Sequence, residues 1–144
     1  KDEMKNNLLK FWLFMLGLVV FTSCQENQAT DEKKQEIVED YEKIEGNQYR
    51  SYYGGNNQLK IEGEYDDNQQ RHGVWIYYTV DGKKQSVTEY KHGIKDGFSI
   101  VYHPNGSVYY KGEYRNDQQI GVWDFYDTNT GKKAYSKDYG QPKV

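Results

Sequence analysis

The sequence predicts an all-β protein, an elongated antiparallel meander of β-hairpins that forms a single-layer twisted sheet and has one short N-terminal helix. Three observations predict this fold class. Landmark residues recur at a nearly constant step, a run of alternating aromatic and β-branched residues follows a glycine in each repeat, and turn residues follow each run. Repeats of about 20 to 50 residues are typical of arrays and solenoids.

The repeat is visible in several sets of landmarks. Successive landmark tyrosines are separated by 25, 24 and 25 residues, and a set of glycines by 24 each time. The landmark tyrosines are Tyr65, Tyr90, Tyr114 and Tyr139. We therefore divide an array at 47–139 into a half repeat at 47–64 and copies at 65–89, 90–113 and 114–138, with a C-terminal tail at 140–144.

Each copy reads as two strands joined by a turn. The runs "GVWIYY", "GFSIVY" and "GVWDFY" alternate as strands do, and "TVDGK", "HPNGS" and "DTNTGK" follow them. In the middle turn, Pro104 fixes one φ angle and Gly106 accepts a positive φ. Short connections between strands make neighbouring strands antiparallel. We assign turn or structural roles to six glycines: Gly73, Gly82, Gly97, Gly106, Gly121 and Gly131.

A helical pattern precedes the array. Ile37, Val38, Tyr41 and Ile44 fall at i, i+1, i+4 and i+7, and Gly46 follows where a helix would end. This spacing predicts a short helix over 31–45 that packs against the end of the array.

Residues 1–23 are typical of a signal peptide. The uncharged run "FWLFMLGLVVFTS" would form about 20 Å of helix, less than the roughly 30 Å needed to span a bilayer. The only cysteine, Cys24, follows, and "VFTSC" resembles a bacterial lipobox with Phe21 at the usual leucine. The resemblance implies that Cys24 is lipid-modified and that 24–46 form a tether. Because Gln25 is not the aspartate that retains some lipoproteins in the inner membrane, the resemblance also implies location in the outer membrane. A secreted protein with a chance cysteine and a single transmembrane anchor remain as alternatives.

The segment "EYKHGIKDGFSIVYHPNGSVYYKGEY", Glu89 to Tyr114, resembles the bacterial variant of the MORN repeat. The resemblance covers about 47–139. It implies an open hairpin array used for scaffolding, protein contact or membrane-surface attachment, and some bacterial members, in families called YwqK-like, are labelled antitoxins. Copies one and three have Gln69 and Gln119 in the region where copy two has Gly93, so we expect their loops to differ from that of copy two.

The polar residues predict no catalytic residue, metal or cofactor. The histidines, His72, His92 and His103, take different places in the repeat and lack metal-ligand spacing. One carboxylate precedes each landmark tyrosine (Glu64, Glu89, Glu113 and Asp138), which favours cross-strand pairing with lysines such as Lys111 and Lys137 over catalysis. The net charge of -3, without a basic stripe, excludes nucleic acid as an expected partner.

The candidate binding residues are aromatic. Trp75 and Trp123 are repeat equivalents on the same strand face as Tyr77 and Phe125, whereas copy two has Ser99 at the tryptophan position. These residues are interpreted either as core or as an exposed surface for a protein or glycan partner. We expect Ser99→Ala to be nearly silent.

The chain is accordingly predicted to be a non-enzymatic lipoprotein. It would be attached to the membrane through Cys24 and would bind an envelope protein. The alternatives are an antitoxin-like inhibitor and a glycan-binding surface module.

Overall fold

The computed structural model describes residues 38–142, which form one open antiparallel sheet. The strands lie in sequence order, so each pairs only with its neighbours in the chain and β1 and β9 are the sheet edges. The predicted all-β hairpin meander is confirmed. The strands are β1 (Tyr41–Glu45), β2 (Gln48–Tyr52), β3 (Leu59–Tyr65), β4 (Arg71–Tyr78), β5 (Lys84–Lys91), β6 (Ile94–Tyr102), β7 (Val108–Arg115), β8 (Gln118–Tyr126) and β9 (Lys133–Asp138).

The predicted helix over 31–45 is wrong where the structure describes it, because 41–45 form β1. Tyr41 stacks on Tyr52 with ring centroids 5.0 Å apart, and the Tyr49 hydroxyl donates a hydrogen bond to Glu42 at 2.9 Å. Strand pairing satisfies the backbone of this segment and outweighs its weak helical pattern. Gly46 lies in the β1–β2 turn with a φ of +59°. The signal peptide, Cys24 and most of the tether lie outside the described residues.

Equivalent hairpin turns of successive repeats contact one another at one end of the strands. The Asn56 side chain donates to the Val80 carbonyl at 3.0 Å, and Asn105 donates to the Thr128 carbonyl at 2.8 Å. Gly106 lies in the β6–β7 turn with a φ of +88°, the left-handed value that its turn requires. These side-chain bonds hold neighbouring copies in register.

The turns at the other end of the strands differ between copies. Both residues have positive φ in the two-residue turns 92–93 and 116–117, as a type I′ hairpin turn requires. The β3–β4 loop, 66–70, is longer. A distinct loop is therefore found in copy one but not in copy three, where Gln119 lies within β8.

Three of the assigned glycines lie inside strands. Gly73, Gly97 and Gly121 have positive φ and occur in β4, β6 and β8, where the register with the preceding strand shifts. They are β-bulge glycines, and the bulge lets the following residues resume their alternation between the two faces.

The sheet has two faces of different character. Trp75 lies opposite Thr88, Thr88 opposite Ser99, and Ser99 opposite Gly112. Because directly paired residues share a face, these residues define what we call the tryptophan face. Val74 is adjacent to Trp75 in β4 and lies on the opposite face.

Candidate functional site

Trp75 and Trp123 are the largest fully buried side chains among the described residues, and Val87 and Ile120 are the other buried apolar residues. Both tryptophans have an exposed fraction of 0%. Each indole covers a glycine of the preceding strand: a Cβ added at Gly63 would lie 2.3 Å from a ring carbon of Trp75, and one at Gly112 would lie 2.2 Å from Trp123. A glycine is thus the only residue that fits beneath either indole without a shift.

Tyrosines close the sides of each indole. Tyr65 and Tyr90 meet Trp75 edge-on with centroids 5.1 and 6.4 Å away, and Tyr114 and Tyr139 meet Trp123 at 5.0 and 6.0 Å. Edge-to-face geometry stabilises aromatic pairs beyond the area that they bury. The landmark tyrosines are therefore the walls of two tryptophan clusters.

A polar contact and a cation complete the first cluster. The indole N–H of Trp75 donates to the Glu64 carbonyl at 3.1 Å, and the Arg71 guanidinium lies 4.7 Å from the ring centroid. In the second cluster Trp123 donates in the same way to the Glu113 carbonyl at 3.2 Å. Both buried indoles are thereby hydrogen-bonded.

The β5–β6 strand pair, between the two tryptophan clusters, fills the equivalent place with small polar residues. Thr88 of β5 is the repeat equivalent of Gly63 and Gly112, and Ser99 of β6 is the repeat equivalent of Trp75 and Trp123. Thr88 and Ser99 are both buried, and their hydroxyl oxygens are 2.9 Å apart. The pairing of "TEY" with "GFS", and of "GEY" with "GVW", is a sequence signal from which these contacts could have been predicted.

The burial of Trp75 and Trp123 leaves no indole surface for a partner. Tyr77 is half-buried, and burial raises its pKa. Phe125 is half-buried and stacks on Tyr135 with centroids 4.5 Å apart. The structure therefore places the two tryptophans in the core, and surface for a partner must be sought elsewhere.

The opposite face has a row in which apolar and acidic residues alternate from strand to strand. Val74, Phe98 and Val122 are repeat equivalents with exposed fractions of 41%, 38% and 59%. Each has a carboxylate as its directly paired neighbour. We call this set the acidic–apolar row: Val74, Glu89, Phe98, Glu113, Val122 and Asp138.

A shallow groove of about 420 Å³ follows part of this row. Apolar side chains form much of its floor, and charged groups lie beside them. Among its lining residues are Phe98, Ile100, Lys111, Glu113, Ile120 and Val122.

The predicted pairing of the carboxylate ladder with lysines is wrong among the described residues. The ammonium groups of Lys111 and Lys137 instead lie over the rings of Tyr126 and Tyr139, at 5.7 and 4.4 Å. The ion pairs of residues 38–142 include none of the four ladder carboxylates. Glu64 accepts a hydrogen bond from the Gln48 amide, and Asp138 accepts one from the Gly140 N–H at 2.8 Å. The carboxylates of Glu89 and Glu113 are thus free of cationic partners in this part of the chain.

Two of the three histidines come together with an aspartate. The ligand atoms of Asp66, His72 and His92 all lie within 4.8 Å of one another. Asp66 accepts a 2.7 Å bond from His92, which lowers the pKa of the Asp66 carboxyl, and N–H bonds from Gln70 and Asn68 lower it further. Spacing within the repeat does not reveal this cluster, because β3–β4 and β5–β6 connections meet only when the meander forms.

His103 lies in the β6–β7 turn, at the opposite end of the strands from His72 and His92. Its Nε2 is 3.2 Å from the Tyr126 carbonyl. It therefore belongs to the turn contacts and not to the histidine–aspartate cluster.

Within residues 38–142 no helix has the length and apolar character to cross a membrane. No protein-family model matches the chain, and no curated protein matches it significantly. The resemblances to a MORN repeat and to a lipobox stay predictions.

Proposed function

We propose that the chain is a non-catalytic lipoprotein whose MORN-like sheet binds a basic amphipathic segment of an envelope protein. The observation that supports this function is the acidic–apolar row. Its three apolar residues are exposed and recur regularly, and each lies beside a carboxylate of the neighbouring strand.

The spacing of the row selects the partner's chemistry. Apolar residues recur on every second strand, which corresponds to about 9.5 Å across a sheet. A helix advances about 10.5 Å in seven residues, so lysines or arginines beside leucine-like residues on one helical face would match successive copies. The carboxylates of Glu89 and Glu113 have no cation to release before they meet such a partner.

The charge of the row argues against anionic partners. Carboxylates repel both phosphate backbones and the anionic surface of a membrane. We therefore assign membrane attachment to acyl groups on Cys24 and partner binding to the sheet face that carries the acidic–apolar row. Two or more acyl chains, at about 0.8 kcal/mol per buried methylene, give stable attachment.

A peptide titration tests the row. The probe is a synthetic peptide with lysines and leucines on one helical face, and the control is a scrambled peptide of equal composition. We expect the full chain to prefer the amphipathic peptide by about tenfold or more, and Glu113→Lys to abolish that preference. Glu45→Lys makes the same charge change on β1 and should leave it intact. Equal binding of both peptides, or an unaffected Glu113→Lys variant, would refute the assignment.

Photo-crosslinking in cells identifies the partner. A photoreactive residue at Val122 should crosslink an envelope protein that has a basic amphipathic segment. The same residue at Lys137, which lies on the tryptophan face, should not. A crosslinked product from Lys137 alone would place the binding surface on the tryptophan face and contradict the proposal.

Labelling with a fatty-acid analogue tests the anchor. The wild type should be labelled and recovered with membranes, and Cys24→Ala should lose the label. An unlabelled wild-type chain in the cytoplasm would instead support the antitoxin-like alternative. A chain that binds envelope oligosaccharides, with no response to Glu113→Lys, would support the glycan-binding alternative.

A further inference from the structure

We propose that Asp66, His72 and His92 bind a divalent transition metal of the zinc class. These residues lie in the β3–β4 loop, at the start of β4 and in the β5–β6 turn, which meet at one end of the strands. Their ligand atoms lie within 4.8 Å of one another, although the residues are up to 26 positions apart. The site is independent of the acidic–apolar row.

The loop holds the aspartate in position. One oxygen of Asp66 accepts N–H bonds from Asn68 and Gln70, both at 2.9 Å. The other oxygen is left to face His92 at 2.7 Å. Supporting hydrogen bonds of this kind orient metal-binding carboxylates.

The two connections are also tied together through their backbones. The Gly93 N–H donates to the Arg71 carbonyl at 2.8 Å. This bond brings the β5–β6 turn against the start of β4, and the rings of His72 and His92 come to 5.2 Å between centroids. The meander therefore assembles the cluster without help from a metal.

The donor set selects the class of metal. Two imidazoles and one carboxylate suit zinc, cobalt, nickel or copper, whereas calcium and magnesium prefer oxygen donors. Metal bonds of about 2.0–2.2 Å in a tetrahedral site place two donors about 3.4 Å apart, so the 2.7 Å contact between Asp66 and His92 has to open when a metal enters. Both histidine side chains are exposed and can rotate to allow this.

Three protein donors leave at least one coordination position open. Water can fill it, or a side chain of a bound partner can. The metal would link copy one to copy two, since Asp66 and His72 belong to the first and His92 to the second.

The test is a titration of the chelator-treated full chain with zinc, followed by calorimetry, and with cobalt, followed by its visible absorption. We expect one metal per chain, with affinity reduced about tenfold or more in His72→Ala and His92→Ala. His103→Ala is the matched control and should bind as the wild type does. Cys24→Ala is included because a free thiol would bind zinc itself, and it should also retain binding.

Circular dichroism establishes that each variant is folded, and melting with and without zinc gives a second readout. Zinc should raise the melting temperature of the wild type and of His103→Ala, and not that of the two cluster variants. Calcium and magnesium should not displace cobalt. Unchanged affinity in His72→Ala and His92→Ala, or no binding by the wild type, would overturn the proposal and leave the cluster as an ion pair between loops.

Discussion

The β3–β4 and β7–β8 strand pairs close the tryptophan face with one large ring over a glycine, whereas the β5–β6 pair closes it with two small hydroxyl residues. The register shifts at the same point of all three strand pairs, beside Gly63, Thr88 and Gly112. The difference shows that this sheet needs a matched pair across neighbouring strands more than any particular residue. Thr88 supplies part of the side-chain volume that Ser99 lacks relative to a tryptophan.

The two arrangements of side chains contribute differently to the free energy of unfolding. Replacing a buried tryptophan with alanine typically costs about 3–5 kcal/mol, while a single intramolecular hydrogen bond contributes about 0.5–1.5 kcal/mol. In an array in which copies contact only their neighbours, stability is close to a sum of copy and interface terms. Each tryptophan cluster should therefore stabilise the sheet more than the Thr88–Ser99 pair does.

The largest effect should follow removal of the rings. Trp75→Ser and Trp123→Ser introduce the residue that copy two uses, but the glycine opposite leaves a cavity in each case. We expect each to lower the free energy of unfolding by about 3–5 kcal/mol and the double variant to unfold, as judged by circular dichroism and urea denaturation. A folded double variant of wild-type stability would mean that the rings are not core.

The glycines beneath the rings should be nearly as sensitive. Gly63→Ala and Gly112→Ala each place a methyl carbon inside contact distance of an indole, and overpacking of this kind costs about 1–3 kcal/mol. Gly55→Ala is the matched control, because a Cβ there meets nothing within 4 Å. Urea denaturation of the three variants measures the difference.

A double-mutant cycle sharpens the same comparison. Gly112→Thr should be strongly destabilising alone, and Gly112→Thr with Trp123→Ser recreates the Thr88–Ser99 pair. We expect a favourable coupling of about 0.5–3 kcal/mol between the two changes. Strict additivity would show that residues in the two strands do not compensate for each other.

The period, the turns and the meander were predictable because they depend on local sequence. The tyrosine step and the turn at Gly106 needed no knowledge of distant residues. The role of Gly73 was harder, since a glycine after a polar loop reads as a turn residue until the register shift of its strand is known. Tyr41 and Ile44 suggested a helix because their spacing suits one, and only pairing with β2 decides otherwise.

The candidate sites depended on contacts between copies. Glu113 reads as a partner for a nearby lysine, but the lysines lie over tyrosine rings. The approach of His92 to Asp66 depends on the β3–β4 loop and the β5–β6 turn lying side by side at the same end of the strands. Comparison of the copies with each other could have predicted the match of Gly112 with Trp123, whereas it could not have predicted the histidine–aspartate cluster.

A smaller effect is expected in copy two. Ser99→Ala removes one partner of the buried 2.9 Å bond to Thr88, so we expect a loss of about 1 kcal/mol, not the near silence that the sequence alone suggested. Replacing both residues with alanine should cost little more than Ser99→Ala does, because no hydroxyl is then left unpaired. Equal stability of Ser99→Ala and wild type would show that Thr88 finds another partner.

The smallest effect concerns alkaline pH and again separates the copies. Burial and the 2.6 Å hydrogen bond to Glu62 raise the pKa of Tyr78 from 10.0 to about 12. The residues one and two repeats after Glu62 are Val87 and Lys111, neither of which is a carboxylate. The neutral phenol is favoured in the folded state, so its contribution is fully present below pH 10 and is lost as the pH rises towards about 12. Urea denaturation across this window should show a shallower loss of stability in Tyr78→Phe than in the wild type, and an intermediate loss in Glu62→Gln. The same slope in wild type and Tyr78→Phe would mean that the phenol titrates alike in the folded and unfolded chains.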